Sequence, residues 1–140
     1  MAWVAREPVE MSARRALIVE WDRAWNERTN FTMGIFDGDT LVGGTGLHVR
    51  GHPGVLEIGY WVRADRVRTG IATRIVEVLV RSAFEIDDVE AVEIHHDVAN
   101  IASGMVPEKA GFTFDREYDR PCEAPGDCGR GRAWITRRVR

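Results

Sequence analysis

Two hydrophobic periodicities alternate along this 140-residue chain. In residues 8–25, Val9, Ala13, Ala16, Leu17, Val19, Trp21 and Ala24 fall among charged positions, which predicts an amphipathic helix. Residues 29–36 and 40–48 read as strands flanking Asp37-Gly-Asp39, a hairpin turn. After a loop at 48–54, residues 55–62 alternate with a period of two. Leu56, Ile58, Tyr60 and Val62 share one face, and Glu57, Gly59 and Trp61 the other. Residues 70–86 predict a helix whose solvent stripe is Arg74, Glu77, Arg81 and Glu85, with Glu77 and Arg81 spaced for an i,i+4 ion pair. Ile71, Ile75, Val78, Leu79, Ala83 and Ile86 are expected to face inward. A strand at 89–96 and a helix at 100–110 follow, with Asn100 as N-cap and Gly111 just past the end. Pro107 is expected to kink or shorten that helix, and Gly104 to weaken it. Strands at 112–118 and 133–139 close the pattern around a loop. The order implies a mixed α/β layer with helices covering a sheet.

Composition changes this picture little. Hydrophobic residues at 44% and charged residues at 29% suit a globular protein, and neither a repeat nor a low-complexity linker divides residues 1–140, so one domain is expected. A net charge of -3 and a pI near 5.8 argue against general nucleic-acid binding. Arg137, Arg138 and Arg140 read as a solvated chain end. The first residues lack the pattern of a signal peptide, and no apolar run approaches a membrane span, so a cytoplasmic protein is expected. Cys122 and Cys128 lie in a loop without neighbouring histidines, a poor zinc site, and are read as reduced thiols with no metal.

The chemistry concentrates in residues 63–72, where a strand runs through a basic turn into a helix beginning Gly70-Ile71-Ala72. Free backbone N–H groups, the positive end of the helix dipole and Arg66 or Arg68 converge there, which suits a phosphate or pyrophosphate. The structural alternative is that Gly70 and Ala72 only let the helix pack tightly on the sheet.

Four segments in order, Glu57-Ile-Gly-Tyr-Trp-Val62, Gly70-Ile-Ala72, Asn100-Ile-Ala-Ser103 and Val106-Pro-Glu-Lys-Ala-Gly-Phe112, resemble the GNAT acetyltransferases. Within that superfamily they are most similar to the group related to the ribosomal-protein N-terminal acetyltransferases, over residues 31–114. The resemblance implies a mixed, mostly antiparallel sheet with splayed central strands flanked by helices, here without the usual first strand and first helix. It also implies acetyl-CoA as co-substrate and a primary amine as acceptor, either a protein N-terminus or a small molecule, attacking directly in a ternary complex. The pyrophosphate would be held at Arg68, Thr69, Gly70, Ile71 and Ala72. The pantetheine arm would lie along Tyr60, Trp61 and Val62, with Asn100 and Ser103 near the thioester.

By the same resemblance, Glu57 is a candidate base, a role weighed against that of a solvent-facing or salt-bridged carboxylate. Asp115 is a second candidate, and Ser103 the donor to the leaving thiolate, with Tyr118 a more distant possibility. His95 and His96 point to opposite faces, so one of them lines the cleft or both stay neutral strand histidines. His48, Arg50 and His52 face the acceptor or form a solvated loop. Trp61 and Phe112 are expected in the core. At the turn, Val67 and Arg68 replace the family's usual Arg or Gln and glycine, which puts CoA affinity in question. The shortened front implies a homodimer. The rival reading is a non-catalytic acyl-CoA-binding module.

Overall fold

The computed structural model describes residues 11–50 and 52–139. In chain order it contains α1 (Met11–Asn26), β1 (Asn30–Asp37), β2 (Thr40–Val49), β3 (Val55–Val62), a 3-10 turn (Ala64–Arg66), α2 (Ile71–Phe84), β4 (Ala91–Asp97), α3 (Ile101–Lys109), β5 (Thr113–Asp119) and β6 (Arg130–Arg137). Every element expected from the pattern is present. The predicted start of the first helix, residues 8–10, lies outside the described residues.

The six strands form one sheet in the order β1-β2-β3-β4-β6-β5. All neighbours are antiparallel except β3 and β4, which run parallel. That parallel pairing covers only Val55 to Ile58 against Ala91 to Ile94. Beyond it, Gly59 to Val62 stay with β2, while His95 to Asp97 stay with β6. The central strands therefore diverge, and the edge of β3 facing β4 is unpaired from Gly59 onward.

On one face of the sheet, Leu47, Leu56, Ile58, Val92 and Ile94 pack with Val76, Leu79 and Ala83 of α2 and with Phe112. The inward face of α2 differs from the expected one. Val76 is fully buried, whereas Val78 is 47% exposed and Ile86, beyond the helix end, is 45% exposed. The apolar stripe centres on Val76, Leu79 and Ala83, at i, i+3 and i+7, and is bordered by Ile75 and Val80. Glu77 and Arg81 form no ion pair.

Phe112 joins the core as expected, but Trp61 does not and is 41% exposed. Its strand face is the one turned away from α2 and α3, and its indole lies over Gly44, directly opposite on β2. A Cβ at Gly44 would sit 2.3 Å from the indole nitrogen, so this glycine is what lets the ring lie flat.

Pro107 does not end α3, which runs on to Lys109. A proline at this position leaves the carbonyl of Ser103, four residues earlier, without its helical N–H donor. The hydroxyl of Tyr60 donates to that carbonyl instead, at 2.8 Å. Gly104 is explained by a close neighbour, because a Cβ there would lie 2.9 Å from Cε1 of His96.

Candidate active site at the splayed strands

Gly70 caps α2 in the left-handed region at φ +82°, and Arg68, two residues before it, has φ +62°. This sharp approach leaves the N–H groups of Ile71, Ala72 and Thr73 without an acceptor among the described residues, while Arg74 N donates to Gly70 O at 3.1 Å. Nothing lies within 4 Å of the position a Gly70 Cβ would take, so the turn is open to a ligand. A cleft of roughly 420 Å³ adjoins it, lined among others by Phe36, Asp37, Thr69, Ile71 and Arg74.

Of the two arginines expected at this point, Arg66 is committed elsewhere. It donates to Asp37 at 2.7 Å, which raises its pKa further, and its carbonyl accepts the Thr69 hydroxyl at 2.6 Å. Arg68 and Arg74 have no ion-pair partner among the described residues and remain to meet an anion.

Where β3 and β4 part, the two faces of the sheet carry different groups. On the helix side stand Tyr60 and the first turn of α3. Asn100 caps that turn by accepting from Ser103 N at 3.2 Å, and the Ser103 hydroxyl itself has no partner among the described residues. On the opposite face a cleft of roughly 330 Å³ is lined by Arg50, Glu57, His95, Tyr118, Arg120 and neighbouring loop residues. Glu57 Oε2 accepts from Arg50 Nε at 2.8 Å, so the salt-bridged alternative for this carboxylate describes its state here. Arg50 thus turns out to line the cleft. His48 pairs instead with Asn30 at 2.9 Å, and its pKa is lowered by burial and then by Arg50.

Asp115 is not brought to this cleft. It is the extra residue of a β-bulge between Phe114 and Arg116, on an edge strand separated from β3 by β4 and β6. Its carboxylate pairs with its neighbour Arg116. The bulge breaks the alternation that would have set its direction.

The two adjacent histidines divide as their spacing requires. His95 faces the cleft, with Nδ1 2.7 Å from the Tyr118 hydroxyl and Nε2 3.0 Å from Glu93 Oε2. His96 is buried on the helix side. Its Nε2 accepts from Trp134 Nε1 at 2.9 Å, so its Nδ1 carries the proton and donates to Asp97 O at 2.8 Å. Burial lowers its pKa and keeps it neutral.

His95 and Tyr118 are among the possibilities the sequence raises, whereas Glu93 lies outside the four family segments and is not among the expected site residues. The available sequence signals were the two-residue spacings Glu93-x-His95 and Arg116-x-Tyr118, which put each pair on one face.

Asp97, at the end of β4, is 3% exposed and ties the loop between β5 and β6 to that strand. It accepts backbone N–H bonds from Ala99 at 2.8 Å and from Cys128 and Gly129 at 3.1 Å. Burial pushes this carboxyl up, but the N–H donors outweigh it and hold the pKa at about 2. Cys122 and Cys128 are free and exposed. No group of three or more potential metal ligands occurs among the described residues. No helix among them is long and apolar enough to cross a membrane.

A six-stranded sheet split between β3 and β4, with a glycine turn opening α2, is the arrangement that the resemblance to the GNAT acetyltransferases implies. The profile of the GNAT acetyltransferase domain matches residues 1–113, and the chain belongs to this family. The Bacillus subtilis (strain 168) protein YdaF, assigned by its name to ribosomal N-acetylation, is 31% identical over 100 residues, covering 71% of this chain and 55% of YdaF. The chain thus spans little more than half the length of that relative.

Among solved structures, the microcin C7 self-immunity acetyltransferase MccE, in complex with acetyl-CoA and AMP, superposes with a TM-score of 0.82 at 17% identity, over 92% of this chain and 72% of that one. The ribosomal L7/L12 alpha-N-protein acetyltransferase RimL, in complex with coenzyme A, gives a TM-score of 0.82 at 18% identity, over 92% and 73%. At these identities the likeness is one of fold.

Proposed function

We propose that this chain transfers an acetyl group from acetyl-CoA to a primary amine, with a protein N-terminus as the favoured acceptor. The observation that carries the reading is the unpaired edge of β3 from Gly59 to Val62, open between two strands that pair normally on their other sides. Buried strand N–H and C=O groups need partners, and the amide-bearing pantetheine arm supplies them in the manner of an added strand. The N–H groups of Ile71, Ala72 and Thr73, with Arg68 and Arg74, would hold the pyrophosphate. The names of YdaF and RimL, both directed at ribosomal proteins, support the choice of acceptor.

In this reading, acetyl transfer needs a polarised thioester carbonyl, a deprotonated amine and a donor for the leaving thiolate. A β3 backbone N–H near Trp61 or Val62 polarises the carbonyl. The unpartnered Ser103 hydroxyl, on the helix side, serves the sulfur. The amine enters from the opposite face, where Glu57 gives its positive charge a counter-ion. With Oε2 already engaged by Arg50, Glu57 holds the amine rather than deprotonating it.

The test is acetyl-CoA with a peptide bearing a free N-terminal serine, followed by mass spectrometry. Addition of one acetyl group at the α-amine, dependent on the protein, is expected. Tight acetyl-CoA binding without acetylation of that peptide or of a panel of small amines would favour the rival, a non-catalytic acyl-CoA-binding module. Leu17, Ile18, Val19 and Trp21 of α1 are exposed among the described residues, which supports the expected pairing of two copies. A monomer by light scattering would count against that pairing.

A further inference from the structure

We propose that Tyr118, His95 and Glu93 form a relay that takes the proton from the acceptor amine, with Tyr118 touching the amine and His95 and Glu93 acting through it as positioning residues. The inference rests on the acetyl-transfer reading above and assigns its proton acceptor.

Three observations converge. His95 is the first residue of β4 after its pairing with β3 ends, so its side chain stands at the mouth of the split. His95 and Tyr118 both line the cleft that Glu57 enters from the other strand. The His95 ring is fixed at both nitrogens, by the Tyr118 hydroxyl at 2.7 Å and by Glu93 at 3.0 Å. The His95 and Glu93 side chains are only 17% and 14% exposed, so the chain of bonds is shielded along most of its length.

The polarity of the chain follows from its far end. Glu93 lies between Arg116 Nη1, 3.3 Å from Oε1, and His95 Nε2, 3.0 Å from Oε2. A carboxylate beside a guanidinium accepts, so His95 Nε2 carries the hydrogen and Nδ1 is the acceptor. The Tyr118 hydroxyl then donates to Nδ1 and leaves its lone pairs to the cleft. Those lone pairs suit an amine N–H.

When the amine nitrogen bonds to the acetyl carbon and the C–S bond breaks, the amine proton passes to Tyr118 oxygen. The proton of Tyr118 passes to His95 Nδ1, giving an imidazolium whose Nε2–H still faces Glu93. The departing thiolate takes a proton from the Ser103 hydroxyl, which solvent reprotonates. The imidazolium gives its proton back through Tyr118 to solvent, so overall an N–H and a C–S bond are replaced by an N–C and an S–H bond. The charges facing His95 from its surroundings are Glu93 on its own strand, Glu57 with Arg50, Arg116 beside Tyr118 on β5, and Arg120 and Glu123 in the following loop, while neutral Ala133 lies opposite it on β6.

The test combines kinetics with imidazole nitrogen NMR on the full chain, using the N-terminal serine peptide as acceptor. In wild type, kcat/KM should rise with pH along a single acid limb. His95→Gln and Tyr118→Phe should each lower kcat about 100-fold and abolish that limb, with acetyl-CoA affinity unchanged. Glu93→Gln, which removes the partner of the imidazolium, should shift the limb to lower pH. The nitrogen spectrum of wild type should show His95 in its Nε2–H form.

Wild-type turnover with His95→Gln within about three-fold and an unaltered limb would overturn the relay alone. So would an Nδ1–H tautomer, which needs no variant to fold. A wild type that binds acetyl-CoA but acetylates nothing overturns the transferase reading and the relay with it. One that fails to bind acetyl-CoA overturns the site itself.

Discussion

Tyr60 donates its hydroxyl proton to the carbonyl of Ser103 at 2.8 Å, joining the free end of β3 to the first turn of α3 across 43 positions of sequence. Pro107 makes that carbonyl available, since it has no N–H to close the helical bond. Burial raises the Tyr60 pKa far above the ordinary tyrosine range, so the phenol remains a donor at any physiological pH. Tyr60→Phe leaves the Ser103 carbonyl unpaired in a half-buried setting, which costs roughly 1–2 kcal/mol. Urea unfolding should show that loss, and acetyl-CoA affinity should fall with it. An unchanged midpoint would show that water replaces the phenol without cost.

Gly104 and His96 define a second contact across the same region. Alanine at 104 gains about 1 kcal/mol of helix propensity. Its Cβ, however, would sit 2.9 Å from a ring that Trp134 and the Asp97 carbonyl fix at both nitrogens, so the ring cannot easily yield. Overpacking of this kind costs roughly 1–3 kcal/mol, so Gly104→Ala should be net destabilising by about 1 kcal/mol and should shift Trp134 emission. Stabilisation would mean that His96 moves freely.

The pH dependence has two steps of the same sign. His96 has its pKa lowered by burial, so below about pH 6.5 the unfolded chain binds a proton that the folded chain resists, and stability falls. His48, lowered by burial and then by Arg50, adds to that step. Asp97, held at about 2 by backbone N–H donors against the effect of burial, stabilises the fold fully above its unfolded value. That contribution disappears as the pH drops from about 4 towards 2. Denaturation midpoints should therefore decline first below neutrality and again in strong acid, the second decline being absent in Asp97→Asn.

Arg68 holds φ at +62°, a region that costs a non-glycine residue about 1 kcal/mol. Arg68→Gly should raise the melting temperature by roughly 2–4 °C. It should also weaken acetyl-CoA binding modestly, by removing one of two unpaired arginines at the turn. Tighter binding would mean that the arginine obstructs the phosphates.

Much of the fold was legible because it depends on local rules. The alternation of residues 55–62 gave the faces of β3, and the Asn100 cap and Pro-Glu-Lys-Ala-Gly run located α3. The inward face of α2 centres on Val76 rather than on Val78 and Ile86, because the apolar residues between Ile71 and Ile86 are numerous enough to support more than one rotation. The exposure of Trp61 is not visible in the pattern of β3, because its indole lies over Gly44, a residue of another strand. The cleft partners of Glu57 were the least legible. His95, Tyr118 and Arg116 meet through strand order, and Asp115 is excluded by a bulge, neither of which a single strand's pattern reveals.

The central claim, a phosphate-binding turn at the start of α2 serving acetyl-CoA, is tested most directly by calorimetry on three proteins: wild type, Gly70→Asn and Gly70→Asp. Both substitutions enter open space at φ +82°, and asparagine and aspartate are nearly isosteric, so they differ chiefly in charge. Micromolar binding by wild type, retained within a few-fold by Gly70→Asn and weakened at least about ten-fold by Gly70→Asp, with the gap narrowing in salt, is the predicted result. Equal affinity in all three, or no binding by a folded wild type, would contradict it.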